Sequence, residues 1–203
     1  MPEARPVWIL ASGNRHKYRE LAALLADAPI ELRPLPEGIE LPEETGKTLL
    51  ANARIKARAA AAATGQVALA DDTGLEVDAL GGEPGVRSSR YAGENVTYDD
   101  NNRLLLERLR GIHDVNRRAR FRCVVVLAAP SGKEVTAEGT VEGFIIDAPR
   151  GSEGFGYDPL FLVEGMERTL AELVPEEKNA LSHRARAAAA LKASMGRLGR
   201  WVP

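Results

Sequence analysis

Apolar positions recur along the chain with two periods, one typical of helices and one typical of strands. Between them lie clusters of Gly, Pro, Asp and Ser that are typical of turns. The predicted helices are Lys17–Ala26, Thr48–Thr64, Tyr98–Arg110 and Ser182–Leu198. The predicted strands are Val7–Ser12, Ile30–Leu35, Val67–Ala70, Leu75–Leu80, Phe121–Ala129, Lys133–Ile146 and Leu160–Val163.

These elements do not alternate strictly as strand and helix. A mixed central sheet flanked by helices therefore fits better than an all-parallel sheet, and the expected fold class is α/β. The chain has 203 residues, of which 44% are hydrophobic, so it can bury a substantial core. We expect a single domain over residues 1–203, organised in two lobes.

Composition excludes several classes of protein. The formal net charge of −2 argues against a general binder of nucleic acid, which usually carries a basic excess. Seven arginines lie between Arg103 and Arg122, but Glu107 and Asp114 interrupt them and few aromatics intervene, so we interpret this stretch as exposed surface. The single Cys123 cannot form an internal disulfide bond, and no apolar run reaches the ~18 residues that span a bilayer. These features predict a soluble, cytoplasmic protein.

Cations occupy the start of the first predicted helix, where the backbone is already positive. Arg15, His16 and Lys17 follow the turn Ser12–Asn14. Cations near a positive helix end carry an electrostatic cost. An anion bound by the same N–H groups would reverse that cost, which is consistent with a phosphate site; alternatively all three side chains reach water. Of the three, we expect Lys17 to be the phosphate ligand and the other two to point to solvent.

A second helix start repeats this polarity. Ser182 is a suitable N-cap, yet His183 and Arg184 follow it and Lys178 precedes it. If both helix starts face one cleft, their cations suit a strongly anionic ligand such as a nucleoside triphosphate.

The segment ALADDTG predicts a strand that runs into a loop carrying two carboxylates. Asp71, Asp72 and the hydroxyl of Thr73 at the end of such a strand would suit Mg²⁺, although tandem Asp before Gly is also ordinary turn chemistry. Glu43 and Glu44, in the Pro-rich connection of residues 36–46, are candidate further ligands.

The segment GSEGFGYDPLF sets Phe155 and Tyr157 among glycines and places Asp158 before a proline. Aromatic rings with small neighbours can stack on a base, and a carboxylate can accept hydrogen bonds from base N–H groups. The alternative is that these aromatics turn back into the core.

Other chemistries find little support. The spacing of a Walker A loop and the GxGxxG fingerprint are both absent. Three separated histidines and one cysteine make a zinc site improbable, and no serine nucleophile is indicated.

Four segments in order, SGNRHK, ADDTGLEVDALGGEPGVRSSRYAG, GFGYDPLF and EKNALSHR, closely resemble the inosine triphosphate pyrophosphatase family. These enzymes hydrolyse non-standard purine nucleoside triphosphates such as dITP, ITP and XTP. The resemblance implies two lobes around a substrate cleft, a homodimer, dependence on Mg²⁺, and release of pyrophosphate with a nucleoside monophosphate.

The resemblance also implies roles for single residues. It makes Asp72 the catalytic carboxylate, a metal ligand and the expected proton acceptor, with Asp71 beside it. From the residues alone, the choice between the two as the base stays open. Either Glu43 or Glu44 would be the second metal ligand. Substrate contacts are implied for Ser12, Gly13, Asn14, Lys17, Lys56, Thr73, Phe155, Gly156, Tyr157, Asp158, Lys178, His183 and Arg184, with Phe155–Asp158 as the base-recognition loop.

Overall fold

The computed structural model describes residues 5–195. Its strands are β1 (Val7–Leu10), β2 (Glu31–Pro34), β3 (Val67–Val77), β4 (Arg118–Ala128), β5 (Glu134–Ile145) and β6 (Phe161–Val163). Its helices are α1 (Arg15–Leu24), α2 (Leu49–Thr64), α3 (Tyr98–Arg108), α4 (Pro175–Leu181) and α5 (His183–Met195). Residues 196–198 of the last predicted helix lie outside the described residues.

The six strands form one sheet in the order β2-β1-β3-β4-β5-β6. β1 pairs in parallel with both β2 and β3, so that Trp8 lies opposite Leu32 on one side and opposite Val67 on the other. At the far edge β5 and β6 are antiparallel, with Phe144 opposite Leu162. The prediction of an α/β fold with a mixed sheet is confirmed.

Local signals placed the ends of α2 well. Thr48 caps its first turn by accepting the N–H of Ala51, and Gly65 ends it in the left-handed conformation at φ 65°. α1 begins two residues earlier than predicted because the Asn14 side chain accepts the N–H groups of His16 and Lys17.

The predicted loop at Asp71 and Asp72 is wrong. β3 is one continuous strand of eleven residues that carries both carboxylates in its middle. The strand lies inside the sheet, where ladder pairing stabilises extended backbone, and cations compensate the charge of Asp71. These tertiary interactions override the turn preference of the Asp-Asp-Thr-Gly sequence.

The C-terminal region contains a short helix that the periodicity did not predict. α4 ends at Leu181, and Ser182 separates it from α5 in extended conformation at ψ 161°. Lys178 therefore lies in a helix of its own rather than in a loop before the last helix.

The described chain divides into two compact units. Unit 1 comprises residues 5–72, 123–139 and 184–195, and unit 2 comprises residues 73–122 and 140–183. In unit 1 one cluster of buried side chains includes Leu10, Leu21 and Leu127, and a second includes four alanines of α2. The core of unit 2 gathers apolar residues of α3, β6 and the segments around them.

The arginine-rich stretch is exposed in α3, as predicted, but its part on β4 is half-buried and ion-paired. Arg118 pairs with Glu164, and Arg120 pairs with Asp78 and Glu142. Arg117 differs, because it is buried and donates to the Ile112 carbonyl. Within residues 5–195, no helix has the length and apolar content needed to cross a membrane.

Candidate active site

Asp71 is a fully buried carboxylate held by cations from two helices of unit 1. Its Oδ2 lies 3.1 Å from Nζ of Lys17 and 3.1 Å from a terminal nitrogen of Arg184. Burial alone would raise the pKa of Asp71, but the charges of Lys17, Arg184 and Lys56 outweigh burial and hold that pKa far below its ordinary value. An acid this strongly ionised is a poor proton acceptor, so the structure favours a positioning role for Asp71.

Arg184 lies at the start of α5 and is only 1% exposed. Its Nε and one terminal nitrogen both donate to Oδ2 of Asp71, and the other terminal nitrogen donates to Glu20 of α1. The guanidinium therefore joins three elements of unit 1: α1, β3 and α5. Because removal of one partner from a buried ion pair is strongly destabilising, this ion cluster also has a role in stabilising the fold.

Lys56 of α2 lies between the second aspartate and a glutamate. Its Nζ is 2.6 Å from Oε1 of Glu44, 2.9 Å from the Asp71 carbonyl oxygen and 3.7 Å from Oδ1 of Asp72. Burial opposes the charge of Lys56, but the three carboxylates around it raise its pKa above the ordinary value. The Lys56 ammonium thus forms ion pairs with the carboxylates of both Glu44 and Asp72.

Asp72 follows Asp71 directly, but its pKa shifts in the opposite direction. Burial raises its pKa, the neighbouring charge of Glu44 adds to the increase, and Lys56 opposes it only in part. Asp72 therefore takes up a proton more readily than an ordinary aspartate, which suits the proton acceptor of a hydrolytic reaction. The directions of these two pKa shifts favour Asp72 over Asp71 for that role.

Glu43 and Glu44 also differ, although the sequence left them equivalent. Glu43 is exposed, whereas Glu44 is half-buried against Lys56. The connection that carries Glu44 is fixed two residues later, where the N–H of Gly46 donates to Oδ1 of Asn52 at 2.8 Å. A Cβ on Gly46 would lie 2.5 Å from that oxygen, so a larger residue there would displace the connection.

The donor set suits Mg²⁺. Among residues 5–195, no three His, Cys, Asp or Glu side chains converge into a closed metal cage. Two carboxylates, Glu44 and Asp72, do face one cation, the ammonium of Lys56. Mg²⁺ is commonly held by one or two carboxylates together with substrate phosphates, and such a pair is what this group offers.

The turn before α1 is stabilised by its own side chains. The N–H of Asn14 donates to Oγ of Ser12 at 3.2 Å, and the Asn14 side chain caps the helix. Gly13 between them is exposed. Of the three cations in the first turn, Arg15 and His16 are exposed, while the Lys17 side chain is 15% exposed and pairs with Asp71. Arg15 and His16 are thus exposed as expected, and the role of Lys17 as a phosphate ligand stays a prediction.

The predicted base-recognition loop lies in unit 2 and is internally braced. Oδ2 of Asp158 accepts the N–H of Phe155 at 2.9 Å and Nζ of Lys178 at 2.7 Å. The same Nζ lies 5.2 Å from the centroid of the Phe155 ring. A Cβ on Gly154 would lie 2.1 Å from Oδ2 of Asp158, so the loop closes tightly at that glycine.

The two aromatics of this loop have different environments. Tyr157 is 4% exposed, packs in the core of unit 2 and donates its hydroxyl to the Ser88 carbonyl at 2.9 Å. Phe155 is half-buried. The core alternative therefore holds for Tyr157, whereas Phe155 is the partly exposed ring for which stacking on a base stays a prediction.

The remaining predicted residues of unit 2 are His183, Thr73 and Lys178. His183 is buried and stacks on the ring of Phe121, with centroids 4.8 Å apart and an interplanar angle of 20°. Thr73 is half-buried on β3, and Lys178 is 4% exposed.

The predicted site residues thus fall into two groups. Unit 1 holds Ser12, Gly13, Asn14, Lys17, Glu43, Glu44, Lys56, Asp71, Asp72 and Arg184, and unit 2 holds Thr73, Phe155, Gly156, Tyr157, Asp158, Lys178 and His183.

Sequence reasoning missed several residues that contact the predicted ones, among them Glu20, Tyr98 and Asn102. It also missed Asn52, whose Oδ1 accepts the N–H of Gly46 in the connection that carries Glu44. A helical-face argument could have suggested Asn52, because it lies four residues before Lys56 on α2.

Comparison with known proteins shows which sequences this chain resembles. A sequence model of the Ham1 family matches residues 8–194. The dITP/XTP pyrophosphatase of Elusimicrobium minutum is 53% identical to this chain, over 88% of this chain and 94% of its own. That of Geobacter sulfurreducens is 50% identical, over 93% and 96% of the two chains.

Solved structures are also similar to this chain, both in sequence and in fold. A HAM1 protein from Coxiella burnetii is 45% identical with a TM-score of 0.86, and the alignment covers 95% of this chain and 99% of that one. A nucleoside-triphosphatase / dITP/XTP pyrophosphatase from Mycobacterium abscessus is 46% identical with a TM-score of 0.72, covering 91% and 97%.

Proposed function

Since this chain belongs to the Ham1 family, we propose that it is a nucleoside-triphosphate pyrophosphatase that removes non-standard purine nucleotides from the nucleotide pool. Its substrates would be dITP, ITP and XTP, and its products a nucleoside monophosphate and pyrophosphate. The observation that carries the proposal is the group formed by Glu44, Lys56 and Asp72 beside the ion-paired Asp71. Dependence on Mg²⁺ and a homodimer, which the resemblance implies, and a cytoplasmic location, which the sequence features predict, belong to the same proposal.

Glu44 and Asp72 would hold the Mg²⁺ ion. When bound, the ion would neutralise phosphate charge and lower the pKa of water that it coordinates.

The proposed reaction is an in-line displacement at the α-phosphorus. The oxygen of a water molecule forms a bond to the α-phosphorus while the bond from that phosphorus to the bridging oxygen breaks. Asp72 orients the water and accepts its proton, in keeping with the raised pKa of this carboxyl. The electron pair of the broken bond leaves with pyrophosphate, whose negative charge Lys17 stabilises.

Asp71 and Lys56 would act through their neighbours. Asp71 fixes the ammonium of Lys17 at 3.1 Å, so the cation is already oriented when the phosphates arrive. Lys56 holds Glu44 and Asp72 in place from its buried position on α2.

The loop of unit 2 would select the base. The half-buried ring of Phe155 suits stacking on a purine, and the Lys178 ammonium beside that ring is a hydrogen-bond donor. Hypoxanthine and xanthine carry a 6-oxo acceptor that such a donor can meet. Adenine carries a 6-amino group there, so an adenine nucleotide would leave buried polar groups unpaired and bind poorly.

A product assay tests this function. The purified full-length chain with Mg²⁺ should release pyrophosphate, and no orthophosphate, from dITP, ITP and XTP. We expect kcat/KM for dITP to exceed that for dATP by about 100-fold or more, because rejection rests on unpaired hydrogen-bonding groups. Release of orthophosphate, or tight binding of dITP with no hydrolysis, would refute the proposal.

The two glutamates provide a test of the proposed metal site. Glu44→Gln should raise the Mg²⁺ concentration for half-maximal activity by roughly 10-fold, because one of two charged ligands becomes neutral. Glu43→Gln, a matched change at the exposed neighbour, should leave it unchanged. Mg²⁺ titrations of dITP hydrolysis measure both values, and the reverse pattern would assign the ligand to Glu43.

A further inference from the structure

α3 sends two side chains of one face to the base-recognition loop. Tyr98 and Asn102 are four residues apart on this helix, the spacing at which side chains become neighbours. The Tyr98 ring lies 6.0 Å from the Phe155 ring, and Nδ2 of Asn102 donates to the Gly156 carbonyl at 3.1 Å. α3 thus contacts two consecutive residues of the loop.

The contact with Tyr98 limits how the Phe155 ring can turn. The two rings are tilted by 42°, within the range of favourable aromatic pairs. The Lys178 ammonium contacts the same ring at 5.2 Å from its centroid. Tyr98 is 40% exposed, so its contribution lies in this ring contact more than in burial of its own apolar surface.

The contact with Asn102 fixes the peptide that follows Phe155. Turning the Asn102 amide over would place two acceptors, its Oδ1 and the Gly156 oxygen, 3.1 Å apart, so the donor must face the loop. In this orientation Oδ1 of Asn102 is buried and has no hydrogen-bond partner among the described residues. The Asn102 amide therefore donates to the loop, although its own acceptor oxygen is left without a hydrogen bond among the described residues.

We propose that Tyr98 and Asn102 are positioning residues that orient the Phe155 ring and thereby set the affinity for the purine base. The inference deepens the proposed function and rests on it. Both residues act through the loop, and neither is a catalytic residue.

Loss of the contacts from Tyr98 or Asn102 should raise KM and leave kcat unchanged. Stacking on the base is remote from the α-phosphorus, so it stabilises bound substrate and transition state equally, and its loss raises KM alone. An aromatic pair is worth about 0.5–1.5 kcal/mol, which corresponds to a rise of roughly 2- to 12-fold in KM.

Tyr98→Ala in the full-length enzyme tests this inference. We expect KM for dITP to rise by about 5-fold with kcat within about 2-fold of wild type, since the lost ring contact falls within that range. Tyr98→Phe should restore the wild-type KM because it keeps the ring. Asn102→Ala should also raise KM. Arg103→Ala, on the exposed side of the same helix, should change neither constant.

Two further measurements distinguish a change in the orientation of the Phe155 ring from a general loss of folded structure. Inorganic tripolyphosphate carries no base, so its inhibition constant against dITP hydrolysis should be the same for wild type and Tyr98→Ala. The melting temperature should change little, because the removed side chain is partly exposed. An equal rise in the tripolyphosphate constant, a fall in kcat with unchanged KM, or failure of Tyr98→Phe to restore KM would each overturn the inference.

Failure of the proposed function would look different. If the wild type released no pyrophosphate from dITP, the function would be wrong, and calorimetric titration with dITP would still compare binding by wild type and Tyr98→Ala. If the wild type hydrolysed dITP and both α3 variants kept its KM, only the inference about α3 would be wrong.

Discussion

Asp72→Asn should lower kcat for dITP by roughly 1,000-fold, within the range of about 10²–10⁴ that a positioned general base contributes. The substitution keeps the size of the side chain but removes both the proton acceptor and one charge of the proposed metal site. The melting temperature should remain close to that of the wild type, because burial already disfavours the charged form of Asp72. Steady-state kinetics and thermal unfolding of the same preparation measure both effects.

The adjacent residue supplies a matched control. Asp71→Asn is the same chemical change one position earlier, but it removes the counter-charge of Arg184 and Lys17. It should therefore lower the melting temperature clearly, an effect that Asp72→Asn should not show. Full activity of Asp72→Asn, or retained stability of Asp71→Asn with complete loss of kcat, would contradict this division between the two aspartates.

Arg184→Met should lower the free energy of unfolding by about 3–5 kcal/mol, the usual cost of removing one partner from a buried ion pair. Asp71 is fully buried, and without the guanidinium it loses two of its hydrogen-bond donors. Glu20 loses its contact with the same group. Equilibrium unfolding in urea measures the change.

Two comparisons make this prediction specific. The double variant Arg184→Met with Asp71→Asn should recover part of the lost stability, because the uncompensated charge is removed as well. Lys192→Met, on the same helix α5, should leave stability nearly unchanged, because its partner Asp27 is largely exposed. If Arg184→Met were as mild as Lys192→Met, the buried cluster would not have the structural role assigned to it.

Local signals account for most of what the sequence predicted correctly. α2 was predicted close to its observed bounds, since Thr48 and Gly65 cap it through neighbouring backbone groups. The mixed sheet was predicted because strands and helices do not alternate strictly along the sequence. α4 escaped detection because its seven residues are too few for a helical period to be evident.

The sequence alone determined the family and the segments that carry the candidate site, because their motifs are local patterns of residue type and spacing. Only the tertiary structure distinguished Asp71 from Asp72, since the pairing of Asp71 with Arg184 joins residues 113 positions apart and the charge of Glu44 acts on Asp72. Likewise it separated Glu44 from Glu43 through the contact with Lys56. The chemical role of a carboxylate depends on its burial and on the charges around it, and both are set by parts of the chain that are distant in sequence.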